Sequence, residues 1–151
     1  MGPCDFSGAE LNALADELRN FYLRSHRVVD RMMKGQGVSF ARAKLLAFIA
    51  KDGSARSADI GVAFGFSPRT VTEAIDALER DGLIQRTADP VDRRAKRLIV
   101  TPAGEVALAA SQPVRQKFLE EIFGRLSADE HAALSGILRK MNERLEQIEN
   151  D

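Results

Sequence analysis

The chain has 151 residues, 44% of them hydrophobic and 29% charged, which suits one globular domain or two small lobes sharing a core. Lys and Arg total 22, as do Asp and Glu, so no global field points to a polyanionic partner. A single cysteine excludes an intrachain disulfide, no apolar run approaches a membrane span, and the N-terminus lacks the charged-then-apolar order of a signal peptide, so a cytoplasmic protein is expected.

The charge is nonetheless uneven. Residues 1–101 carry 16 basic and 13 acidic side chains, a net of +3, and residues 102–151 carry 6 and 9, a net of −3. A weakly basic front and an acidic tail fit a localised anion-binding face.

Residues 1–7 read as a loose tail containing Cys4. A long helix is expected from about Gly8 to Lys34, with Leu11, Leu14, Leu18, Phe21, Val28 and Met32 on one face and Ser25 filling a slot of the same stripe. Gly35 and Gly37 stop it. Ser39 caps a second helix, from Phe40 to about Lys51, whose apolar side holds Leu45, Leu46, Phe48 and Ile49. A short third helix runs from about Ser57 to Phe64 and ends at Gly65. Ser67 then caps a fourth helix with Pro68 at its first position, where the missing N–H costs nothing. Val71, Ile75 and Leu78 form its buried stripe, and Asp81–Gly82 ends it.

Leu83–Thr87 and Arg97–Thr101 alternate like strands and predict a β-hairpin with a long charged tip. Thr101–Pro102 starts a fifth helix that reaches about Gly124, with a bend expected at Pro113. Ser127 and Glu130 form a capping box for a last helix. Its Leu134, Leu138, Met141, Leu145 and Ile148 alternate four and three apart, a narrow seam suited to another helix.

A short helix, a turn with Gly65 and a second capped helix make a helix-turn-helix. Gly61 and Gly65 supply small residues where the helices touch, and Val71 packs into the angle between them. The hairpin that follows makes the whole a winged helix-turn-helix, mainly α with a small β wing. The fourth helix can enter a DNA major groove by its N-terminal end. Ser67, Pro68, Arg69, Thr70, Thr72 and Glu73 lie there, with Ser57 at the start of the third helix. Arg69 suits guanine or phosphate, Thr70 and Thr72 phosphate or a thymine methyl, and Glu73 cytosine. The hairpin tip then brings Arg93, Arg94 and Lys96 over the adjacent minor groove, where a narrow channel favours arginine. Asp92 is expected to brace one of these arginines. Arg97 begins a strand and faces either DNA or an acid.

The segments GVSFARAKLLAFIA (37–50), ADIGVAFGFSPRTVTEAIDALERDGLIQR (58–86) and DPVDRRAKRLIVTPAGEVAL (89–108) resemble the MarR family of transcriptional regulators, and the resemblance covers about residues 8–148. It implies a helical dimerisation region, 8–34 and 102–149, around a winged helix-turn-helix DNA-binding domain, 38–101. It implies a homodimeric repressor that binds an inverted-repeat operator and answers to a small anionic aromatic or to oxidation. Dimer contacts are expected at Leu11, Leu14, Leu134, Leu138, Met141, Leu145 and Ile148. An effector cleft is expected near Tyr22, His26 and Arg27. Three positions depart from the family pattern. Arg56 replaces a Ser or Thr cap, so that the cap is weak or gives way to a phosphate contact. Gly61 replaces alanine, and Glu73 stands where a basic or neutral residue is common.

Two histidines without a second cysteine make a poor metal site, and no cofactor is expected. No glycine-rich phosphate loop follows a strand and no nucleophile–base pair is apparent, so no enzyme activity is expected. The alternatives are a winged-helix module that binds protein, which the neutral overall charge favours, and a thiol-based redox sensor acting through Cys4.

Overall fold

A computed structural model describes residues 6–151; Cys4 lies outside them. Six helices and one antiparallel hairpin follow in the order α1 (Gly8–Met32), α2 (Phe40–Lys51), α3 (Ser57–Phe64), α4 (Pro68–Arg80), β1 (Ile84–Ala88), β2 (Lys96–Val100), α5 (Pro102–Phe123) and α6 (Ala128–Glu149). The chain divides into two compact units, one ending at Val114 and one running from Arg115 to Asp151. No helix among the described residues is long and apolar enough to cross a membrane.

The helix boundaries follow from local chemistry. The hydroxyls of Ser7, Ser39, Ser67 and Ser127 each accept the backbone N–H three residues on, which satisfies a donor the first turn leaves bare. Glu10 and Glu130 return the bond to the backbone of Ser7 and Ser127 and complete two capping boxes. Thr101 does the same for α5, accepting from Gly104 while its own hydroxyl donates to the Gly82 carbonyl. α5 continues through Pro113 as one helix.

The core of the first unit comes from every element that surrounds the hairpin. Val29 and Met33 at the end of α1, Leu46 and Ile49 in α2, Ile60 in α3, Ile75 and Leu78 in α4, Ile84 in β1 and Leu98 in β2 are all at most 2% exposed. Phe48, expected with that core, is only half-buried; it stacks edge-on against Phe64 at 5.5 Å. Along α1 the expected apolar stripe is mostly bare: Leu11, Leu14 and Leu18 are exposed, and Val29 is the helix's one buried residue. In the second unit, α6 has no buried residue, and its seam of Leu134, Leu138, Met141, Leu145 and Ile148 faces outward.

The strands pair Ile84 with Val100 through Ala88 with Lys96. Each is displaced by one residue from the expected span, for two reasons. Leu83 closes α4 instead: with Gly82 at φ +73°, its N–H returns to the Leu78 carbonyl in a Schellman motif. Thr101 is taken by the cap of α5. A further contact was invisible in the pattern. Ala55, just before α3, forms an isolated antiparallel bridge with Leu98, so the hairpin is hydrogen-bonded on its far side as well.

Candidate nucleic-acid interface

α3 and α4 meet through a turn in which Gly65 sits at φ +65° and Phe66 returns its N–H to the Gly61 carbonyl at 3.1 Å. The left-handed backbone explains Gly65. A Cβ there would meet nothing within 4 Å, so its role is conformational rather than the close packing expected of it. Gly61 is the residue at the contact. A Cβ there would meet Phe66 O at 3.5 Å and Val71 Cγ2 at 3.7 Å, ordinary van der Waals distances that leave room for the alanine of the family pattern. Val71, Ile75 and Leu78 are buried as the stripe required.

Burial of that stripe turns the opposite face of α4 outward. Ser67, Pro68, Arg69, Thr70, Thr72 and Glu73 are all exposed, as is Ser57 at the start of α3. The face is internally bonded. Ser67 and Thr70 share a hydroxyl hydrogen bond at 2.9 Å, and Thr72 donates its hydroxyl to the Pro68 carbonyl. Arg69 Nε donates to Glu73 Oε1 at 2.9 Å, one helical turn on. Between α3 and α4 lies a shallow concavity of about 570 Å³, where Val62 and Phe66 present apolar surface beside these polar groups. Neither residue stands out in the sequence, since both fall within ordinary helical and turn patterns.

The wing is held against the helices from two sides. Arg86 in β1 bonds Asp76 at 2.5 Å and also Glu79, both on α4; these bonds, that to Asp76 first, raise its guanidinium above the usual arginine range. On the other side stands Asp89, which follows β1 and whose side chain is completely buried. Its Oδ1 accepts the backbone N–H groups of Val91 and Asp92. Its Oδ2 accepts from Arg56 Nε and Nη2 and from Arg97 Nε, at 2.8 to 3.0 Å. The backbone bonds above all, with the two guanidinium groups, hold its carboxyl far below the usual carboxylate range against the opposing effect of burial.

Three expectations are refined by this geometry. Arg97 faces an acid, and its Nη1 also reaches Ser54 Oγ at 2.8 Å. Arg56 turns its side chain to Asp89, while the Asp59 carboxylate accepts the Arg56 backbone N–H and supplies the cap from inside the helix. Asp92 does brace the tip, but through the backbone: its Oδ1 accepts the N–H of Arg94, and neither arginine side chain. Arg93, Arg94 and Lys96 are exposed. Asp89 itself carried no signal beyond its place in Asp-Pro at a turn; its role depends on partners 33 and 8 residues away.

Tyr22, His26 and Arg27 lie on α1. The Tyr22 and His26 rings are 6.5 Å apart, and His26 packs edge-on against Phe40 at 5.0 Å, beside Lys44. Among the described residues no cluster of His, Cys, Asp and Glu is arranged to hold a metal ion.

Two packed helices with an exposed, capped second helix and a braced basic hairpin define a winged helix-turn-helix protein. Residues 38–96 match the profile of the MarR family. The transcriptional repressor MprA of Escherichia coli (strain K12) is 30% identical over 126 residues, covering 81% of this chain and 70% of that protein. The uncharacterized HTH-type transcriptional regulator YwhA of Bacillus subtilis (strain 168) is 29% identical over 91% of this chain and 98% of its own length. Among solved structures, a mutant MarR from E. coli complexed with operator DNA superposes with a TM-score of 0.79 at 22% identity, over 87% of this chain and 95% of that one. Bordetella bronchiseptica BpsR, described for regulation of DNA binding by 6-hydroxynicotinic acid, gives 0.74 at 25% identity, over 86% and 98%. The chain belongs to the MarR family of transcriptional regulators.

Proposed function

We propose that the protein is a homodimeric repressor that binds an inverted-repeat operator and is released by a small anionic aromatic effector. The observation that carries the reading is the joint exposure, on one compact unit, of the α4 N-terminal face and of the wing residues Arg93, Arg94 and Lys96. A helix N-terminus carrying Ser67, Arg69, Thr70 and Thr72 suits phosphate and base edges in a major groove. Wing arginines suit the narrow negative minor groove beside it. Ser57 and Pro68 flank the same face, and Glu73 orients Arg69 rather than reading a base alone.

Dimerisation is supported by the bare apolar residues of α1 and of α6, since monomers rarely leave such stripes uncovered. Two-fold symmetry would set the recognition helices about 34 Å apart, one turn of DNA. The repressor role draws on the kinship with MprA. For the effector, Tyr22, His26 and Phe40 offer ring faces and Arg27 and Lys44 offer positive charge, the complement of an aromatic carboxylate. A ligand that alters the spacing of the recognition helices would change operator affinity by coupling to the dimer.

Fluorescence anisotropy with a labelled duplex from upstream of the protein's own gene tests the reading, with unrelated duplex as competitor and two salt concentrations. Selective binding that weakens as salt rises and is lost in Arg94→Ala is expected. Absence of selectivity both there and in a random-duplex selection would overturn it.

A further inference from the structure

We propose that Asp89 is a positioning residue for operator binding: clamped by Arg56 and Arg97, its carboxylate sets the wing arginines at a fixed offset from the recognition helix. The inference rests on the DNA-binding reading above and identifies the contact on which that interface depends.

A two-stranded hairpin is marginal alone, and its tip sways unless something outside the ladder holds it. The middle of this hairpin is held by the Ala55–Leu98 bridge and by Arg86 of β1, which bonds Asp76 on α4. Toward the tip, the buried anchor is Asp89. Its two oxygens divide the work. Oδ1 shapes the turn by accepting from Val91 and Asp92, immediately before Arg93 and Arg94. Oδ2 reaches outside the wing, to the guanidinium of Arg56 at the N-cap of α3. One carboxylate thus joins the turn that carries the wing arginines to the helix pair that carries the recognition face.

The pairing is also unbalanced. Two guanidinium groups share one carboxylate, which leaves the anchor with a net positive charge. That excess suits a wing approaching phosphates, and it makes the anchor dependent on the carboxylate: without it, Arg56 and Arg97 repel one another.

The chemistry of the side chain separates the two tasks of Asp89. In Asp89→Asn, the amide oxygen can still accept from Val91 and Asp92. The amide nitrogen then faces the guanidinium groups, donor against donor. The turn survives and the link to α3 is cut. Arg56→Gln cuts the same link from the other end and leaves Asp89 with Arg97 and both backbone donors.

The chain would be titrated against the labelled duplex from upstream of its own gene as wild type, Asp89→Asn, Arg94→Ala and the double variant, with Arg56→Gln carried through the same cycle. Asp89→Asn is expected to weaken binding roughly tenfold, within the range of coupled neighbours. The decisive result is the coupling. In the Asp89→Asn and Arg56→Gln backgrounds, Arg94→Ala should cost little more, because the arginine no longer arrives at its place. Amide exchange should accelerate at Asp89, whose N–H donates to the Ala95 carbonyl across the tip, while the α4 amides keep their protection. Losses that simply add would show that Asp89 does not act through the wing and would overturn the inference while leaving the DNA-binding reading intact. Wild type that selects no duplex would overturn both.

Discussion

Leu98 and Ala55 exchange both backbone hydrogen bonds, Leu98 N to Ala55 O at 2.8 Å and Ala55 N to Leu98 O at 3.0 Å. The loop before α3 is thereby a one-residue third strand, and the wing is part of the helix-turn-helix rather than an appendage. Leu98 is fully buried at this junction, beneath α2 and α3. Leu98→Ala should destabilise the protein by about 2–5 kcal/mol through lost burial and the cavity left behind. Ile99→Ala on the half-exposed neighbour should cost clearly less. Urea unfolding of the two variants checks the contrast.

Gly104 lies where the first turn of α5 passes the hairpin. A Cβ there would overlap the Leu83 carbonyl oxygen and stand 2.6 Å from Val100 Cγ1. Alanine would favour the helix by up to about 1 kcal/mol. The clash is with backbone that is itself hydrogen-bonded to Thr101, so overpacking wins, and Gly104→Ala should cost about 1–3 kcal/mol net. A thermal midpoint equal to or above that of wild type would refute this.

Arg69 and Glu73 form an exposed ion pair on α4, 89% and 65% accessible. Such pairs contribute less than about 1 kcal/mol, so Glu73→Ala should leave the melting temperature nearly unchanged. Its effect should fall on sequence preference, because Arg69 loses the partner that fixes its Nε. Selection from randomised duplexes before and after the change measures that. An unaltered preference would mean that Glu73 does not orient Arg69 in the complex.

Acid should loosen the wing anchor in a defined direction. The folded protein binds the Asp89 proton less tightly than the unfolded chain, where an Asp titrates near about 3.9. The associated stability is therefore fully present well above that pH and is lost as pH falls below it. Glu10 and Glu130 shift the same way, each through bonds to its cap serine, so the comparison must isolate Asp89. The difference in urea midpoint between wild type and Asp89→Asn should be constant from about pH 5 to 8, by the range of the titration, and shrink in more acidic buffer. A difference that grows toward acid would contradict the assignment.

Leu138 and Leu145 lie on the exposed seam of α6. If a second copy covers that seam, Leu138→Asp with Leu145→Asp should shift the protein from dimer to monomer in sedimentation equilibrium, since charges do not stay buried unpaired. The helix itself should persist by circular dichroism. An unchanged dimer would place the interface elsewhere.

The helices were legible in the sequence because caps and stops act over three or four residues. Ser39, Ser67 and Ser127 begin helices where their spacing says they should, and Gly65 and Gly82 end them with positive φ. The buried face of α4 was legible for the same reason: Val71, Ile75 and Leu78 recur at the helical period, and the opposite face is thereby turned to solvent. The winged fold and its basic tip could be read from these local signals in order. The choice of partners could not. That Asp89 is buried, that Arg56 at the N-cap of α3 turns its side chain to grip it, that Arg97 reaches Ser54 across 43 residues and that Arg86 is taken by Asp76 and Glu79 were decided by the tertiary structure. Periodicity records which face of an element is apolar. It carries no information about which of several exposed charges will be brought within hydrogen-bond reach once those faces pack, and that choice sets where the wing arginines stand.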